Sequence, residues 1–156
     1  MKKITCLVLF SSTVLLTCTS TGSNPNLAGI FDIYLKSATN PDLLNPQTGI
    51  YNPSEIKLVE VVESSGKTKE IPVPSESGQY VYNNGTHPGI YFIDYRCSIY
   101  VYKSTLKRTL IRFNTSIADT LTFKYSGKTP LYPDSVFYNK KLVWRTGDGT
   151  EIDVTK

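Results

Sequence analysis

The chain has 156 residues, a length that suits one domain, and 17 basic against 13 acidic side chains give a formal charge of +4 at pH 7. Only 19% of the residues are charged, Val, Ile, Thr, Tyr and Phe are plentiful, and alanine occurs three times. That composition excludes a helical bundle, a coiled coil, a disordered tail and a collagen-like repeat, and so small and evenly spread a charge excludes a dedicated nucleic-acid binder.

The N-terminus carries an address. Lys2 and Lys3 precede an uncharged, largely apolar run from Ile4 to Leu16. A helix needs about twenty apolar residues to cross a bilayer, so this shorter run reads as the core of a signal peptide over residues 1–17, with a buried N-terminal helix or strand as the structural alternative. An ordinary cleavage site prefers small residues of the Ala-x-Ala kind, yet the first alanine is Ala28. The boundary is instead Leu15-Leu16-Thr17-Cys18, which resembles a bacterial lipobox with Thr17 where Gly, Ala or Ser is usual. Cys18 is therefore the expected attachment point for acyl chains, against the alternative of a cysteine that merely lies near a conventional cleavage point. Residues 18–28 would form a lipidated tether rich in Ser, Thr, Asn and Gly, and residues 29–156 the folded domain.

The remaining cysteines add no disulfide framework. Cys6 leaves with the signal, and Cys97, on an alternating apolar face, reads as a small buried hydrophobe. A Cys18–Cys97 bridge is conceivable only if Cys18 escapes lipidation. One histidine and one free cysteine cannot assemble a metal-ligand cluster, and neither a metal nor a cofactor is expected.

From Gly29 onward the hydrophobic period is two. Phe31, Ile33 and Leu35 alternate with Asp32, Tyr34 and Lys36, and Leu121, Phe123 and Tyr125 alternate with Thr120, Thr122 and Lys124. Further strands are predicted over 55–63, 67–73, 79–83, 89–103, 106–114, 135–138, 141–145 and 151–154, with turn signals such as Ser64-Ser65-Gly66, Asn83-Asn84-Gly85 and Gly147-Asp148-Gly149 between them. The stretch from Gly89 to Lys103 is long for one strand and predicts a break or bulge near Asp94 to Cys97. No segment offers an amphipathic helical stripe. The expectation is an all-β fold: an antiparallel β-sandwich, immunoglobulin-like or a related Greek key, of about eight strands.

The stretches Asn40-Pro41-Asp42-Leu43-Leu44-Asn45-Pro46, Ser54-Glu55-Ile56-Lys57-Leu58, Ala118-Asp119-Thr120-Leu121-Thr122-Phe123 and Val136-Phe137-Tyr138-Asn139-Lys140-Lys141-Leu142-Val143-Trp144 follow one another along the chain. Together they resemble small uncharacterised lipoproteins of Bacteroidota. The departure is Lys140, which stands where that group has glycine in a hairpin turn. The resemblance implies a β-sandwich envelope lipoprotein, expected in the outer membrane, and supplies no catalytic residues.

Residues that carry chemistry are few. His87 is the only histidine, in the turn-forming run Asn83-Asn84-Gly85-Thr86-His87-Pro88-Gly89. There is no nucleophile elbow, no His-Glu-x-x-His and no phosphate-cradling loop, so catalysis is not expected; a secreted hydrolase would require a pocket with two close carboxylates. Gly147-Asp148-Gly149-Thr150-Glu151-Ile152-Asp153 has too few regularly spaced oxygens for a calcium loop and reads as a hairpin turn with an edge strand. Asp119-Thr120-Leu121 and Asp134-Ser135-Val136 look like the sites at which Bacteroidota O-glycosylate exported proteins. Eleven tyrosines are many for this length. Tyr100 with Tyr102, and Tyr80 with Tyr82, would each share one strand face and could stack on sugar rings, or simply pair across strands. The expected partners are thus a membrane, through Cys18, and envelope proteins or glycans, with no nucleic acid.

Overall fold

The structure, a computed structural model, describes residues 29–64, 66–75, 77–96, 106–125 and 133–156. The described chain is all β, with ten strands and one short 3₁₀ turn, Pro53–Glu55. In chain order the strands are β1 (Ile30–Lys36), β2 (Lys57–Ser64), β3 (Lys67–Pro72), β4 (Val81–Tyr82) and β5 (Phe92–Arg96). They continue as β6 (Leu106–Arg112), β7 (Ala118–Lys124), β8 (Ser135–Tyr138), β9 (Lys141–Arg145) and β10 (Glu151–Thr155). One sheet has the order β10-β1-β5-β4 and the other β3-β2-β6-β7-β8-β9, a β-sandwich with two more strands than expected. The long candidate at 89–103 contributes β5; its residues from Cys97 onward lie outside the described set.

Alternation dictates which side chains meet between the sheets. Phe31, Ile33 and Leu35 of β1, Ile93 and Tyr95 of β5, and Ile152 and Val154 of β10 face Leu58, Ile111, Leu121, Phe123, Val136 and Trp144 of the larger sheet in a single core. Aromatic rings link the layers: Tyr95 stacks on Phe123 at 4.8 Å, and Phe31 meets Trp144 edge-on at 5.1 Å. The loop from Asn40 to Pro46 plugs one part of this core with Leu43 and Leu44. It is held by the buried Asp42, whose carboxylate accepts from the Leu44 and Tyr91 backbone N–H groups at 3.0 Å each.

Among the described residues every strand pairing is antiparallel except one: β1 and β10 run parallel. No hairpin joins these two strands, which are neighbours in the sheet but far apart in sequence, so nothing local imposes the antiparallel sense. The turn between β9 and β10 passes from one sheet to the other, with Gly147 and Gly149 at positive φ and the Trp144 indole donating to the Gly149 carbonyl at 2.9 Å.

The β8–β9 turn resolves the departure at Lys140. Asn139 (φ 47°) and Lys140 (φ 71°) are both left-handed, the geometry of a type I′ hairpin that favours Asn-Gly. Lysine there carries a Cβ penalty that glycine lacks. Lys140→Gly is expected to stabilise the fold by about 1 kcal/mol, read as a higher urea midpoint with an unchanged slope.

Candidate functional site

The residues singled out in the sequence fall in different places. Cys18, Tyr100 and Tyr102 lie outside the described residues. Tyr80 does not offer its ring to solvent: it is buried in the core cluster, and its hydroxyl donates to the Val73 carbonyl at 2.5 Å. Burial raises the pKa of that hydroxyl. Tyr82 is half-buried on the outer face of the four-stranded sheet, opposite Phe92, with its hydroxyl bonded to Ser77 Oγ at 3.1 Å. The two tyrosines are not presented together, because strand alternation holds only within β4 and Tyr80 precedes it.

What the fold does assemble on that outer face is a row of carboxylates. Register places Asp32 of β1 opposite Asp94 of β5 on one side and opposite Glu151 of β10 on the other. Like charges directly opposite on a sheet are destabilising, so folding alone gives no reason for this row. Arg96 Nε donates to Asp94 Oδ2 at 3.0 Å, and His87 Nε2 lies 3.2 Å from Glu151 Oε2. Among the described residues no cation pairs with the central Asp32, and the buried Asp94 Oδ1 has no hydrogen-bond partner.

The loop 83–89 walls one side of the row. The His87 ring packs edge-on against Tyr34 at 4.9 Å, and Tyr34 packs on Phe92 at 5.7 Å. Gly85 sits so close that a Cβ would come within 2.7 Å of Phe92 and 2.9 Å of Tyr34 Oη. Tyr34 and Phe92 occupy solvent-face positions of their strands, yet this loop buries both. The pKa of the Tyr34 hydroxyl is raised, first by burial and then by Asp32 and Glu151.

The pKa of Asp32 is raised above the ordinary 3.8, first by burial and then by Asp94 and Glu151. Its contribution to stability is therefore fully present below pH 3.8 and lost as pH rises through the folded value. Asp32→Asn is expected to raise stability at pH 7 by about 1 kcal/mol and to lose that advantage below pH 3.8, as read by urea unfolding at both pH values.

Chemically, the row is a set of hydrogen-bond acceptors beside an aromatic ring, suited to cationic or hydroxyl-rich groups. Among the described residues, no group of three His, Cys, Asp or Glu side chains is placed to hold a metal ion. Sequence reasoning did not find this row. Its members come from three strands far apart in the chain, and only the register reveals that they are neighbours. No protein-family model, curated protein or solved structure matches the chain.

Proposed function

We propose that the protein is a lipid-anchored β-sandwich of the bacterial cell envelope with a binding or assembly role. The observation that carries this reading is Leu15-Leu16-Thr17-Cys18, following a basic start and a charge-free apolar run and leading into a short polar tether. Several acyl chains on Cys18 would make anchoring effectively permanent, at about 0.8 kcal/mol per buried methylene. Detergent phase partitioning tests it: the protein made in its bacterial host enters the detergent phase, and Cys18→Ala stays in the aqueous phase. Equal partitioning of both would overturn the anchor.

The sheet faces are better suited to partners than the edge at β3. Val73 N donates to the Leu58 carbonyl at 2.9 Å, so alternation along the ladder turns Thr68, Glu70 and Pro72 outward. Pro72 has no N–H to offer an incoming strand, and the exposed Lys67 and Lys69 flank the remaining positions.

A second reading, glycan binding, is favoured by Tyr82 standing diagonally from Asp94 on the carboxylate face. Saccharides at millimolar concentration would then shift tyrosine fluorescence in the parent chain and not in Tyr82→Ala. No response in the parent would remove this reading.

A further inference from the structure

The two outer faces of the sandwich differ in chemistry. On the four-stranded sheet, Asp32, Asp94, Glu151 and Asp153 stand against Lys36 and Arg96. On the six-stranded sheet, register aligns Lys57 with Arg112, Val61 with Arg108, Thr122, Phe137 and Leu142, and Leu106 with Lys124, Ser135 and Arg145. That face carries five cations, Lys57, Arg108, Arg112, Lys124 and Arg145, against the carboxylates Glu63 and Glu70. The carboxylates pair with Arg108 and Arg112 at exposed positions, where ion pairs are weak. Between the cations lie half-buried Val59, Val61, Leu110, Phe137 and Leu142, and Leu106 is 49% exposed. Lys124 Nζ rests 4.5 Å from the centre of the Phe137 ring, which leaves its ammonium on the apolar strip.

We propose that this face of the six-stranded sheet lies against an anionic bilayer surface, with the carboxylate face turned away. A headgroup layer offers negative charge and an apolar boundary together, matching cations interleaved with aliphatic and aromatic side chains. A second copy of the chain fits less well. Its acidic face supplies the charge, but among the described residues the exposed large hydrophobics are Ile50, Leu106 and Ile117, and none of these belongs to that face. The inference is independent of the anchor: acyl chains at Cys18 would hold the protein at the membrane, and the basic face would set its orientation.

The test uses the full chain carrying Cys18→Ala, so that no acyl chain contributes and failure of the anchor is read separately. It is sedimented with vesicles of phosphatidylcholine alone or with about one-quarter phosphatidylglycerol, at low salt and at about 0.5 M salt. Residues 1–17 are common to every variant, so differences between variants read the face. The expected result is stronger binding to the anionic vesicles, lost at high salt, and about tenfold weaker when Lys57→Glu, Lys124→Glu and Arg145→Glu are combined. Lys36→Glu, on the opposite face, changes it less than about twofold. Circular dichroism confirms that the exposed substitutions leave the fold intact. Equal binding to both vesicle types, an unaffected triple variant, or an equal loss from Lys36→Glu would overturn the proposal. Self-association without vesicle binding would overturn it in favour of a second copy as the occupant.

Discussion

Replacing Asp119 by alanine is expected to cost about 3–5 kcal/mol of folding stability. Asp119 lies on β7, and its buried carboxylate gathers three donors: the Tyr138 hydroxyl, the Asn139 amide at 2.7 Å and the Lys156 ammonium. Lys156 Nζ also donates to Tyr51 Oη at 2.5 Å and lies 4.3 Å from the centre of the Phe113 ring, which stacks on Tyr51 at 4.0 Å. The Lys156 backbone N–H donates to the Lys36 carbonyl at 2.9 Å, so this cluster ties the four-stranded sheet to the six-stranded one. Removing the carboxylate leaves a partly buried ammonium and a buried hydroxyl without their acceptor, which costs more than the pair contributes. Lys156→Met together with Asp119→Ala should therefore cost clearly less than the sum of the two single changes.

The same residue sets an acid limb of stability. Burial acts to raise the pKa of Asp119, but hydrogen bonds from Lys156, Tyr138 and Asn139 outweigh it and the net shift is downward. A lowered carboxyl contributes stability that is present above 3.8 and lost as pH falls through the folded value. Urea unfolding at pH 7 and near pH 3 checks both statements: the parent loses stability on acidification, and Asp119→Ala loses less. An Asp119→Ala chain that unfolds at the parent's midpoint at pH 7 would contradict this account of the cluster.

The second large effect concerns charges inside the sandwich. Glu60 of β2 and Lys107 of β6 point to the inner face, with side chains 3% and 7% exposed and Lys107 Nζ 2.5 Å from Glu60 Oε1. Neighbouring Thr109 shares a hydrogen bond of 3.1 Å with the Tyr95 hydroxyl, so a polar patch sits within the apolar core. Glu60→Leu alone, or Lys107→Met alone, removes one side of a buried ion pair and is expected to cost about 3–5 kcal/mol. The double substitution should return to within about 1 kcal/mol of the parent, because desolvating the pair offsets most of its attraction. A double-mutant cycle in urea measures the coupling directly. A double variant as unstable as the worse single one would show that the pair is a net source of stability.

These polar residues explain where the sequence was legible and where it was not. Period-two alternation located β7 to within two residues, because inward Leu121 and Phe123 alternate with Thr120, Thr122 and Lys124, whereas β8 and β9 match to the residue through the Asn139-Lys140 turn between them, although Phe137 and Leu142 face outward. It assigned Glu60 and Lys107 no place in the core, since polar residues at inward positions look like solvent-facing ones until their partner is seen. Tyr34 and Phe92 misled in the opposite sense. Their strand face is solvent-directed by alternation, but the loop 83–89 folds over it, and that contact links residues distant in sequence. The carboxylate row required the register of β1 against both β5 and β10, including the one parallel pair, which no local turn signal encodes. Asn139-Lys140 lies between the extremes: the hairpin was visible, whereas the left-handed lysine was not, because lysine is not the residue that geometry favours.

The intact mass of protein recovered from the membrane fraction of its host, measured beside Cys18→Ala, decides whether Cys18 carries acyl chains. A chain beginning at Cys18 with added acyl mass is expected, and no such species from the variant. An unmodified chain cleaved at another residue would contradict the lipoprotein reading and leave only the sandwich, with its acidic and basic faces, standing.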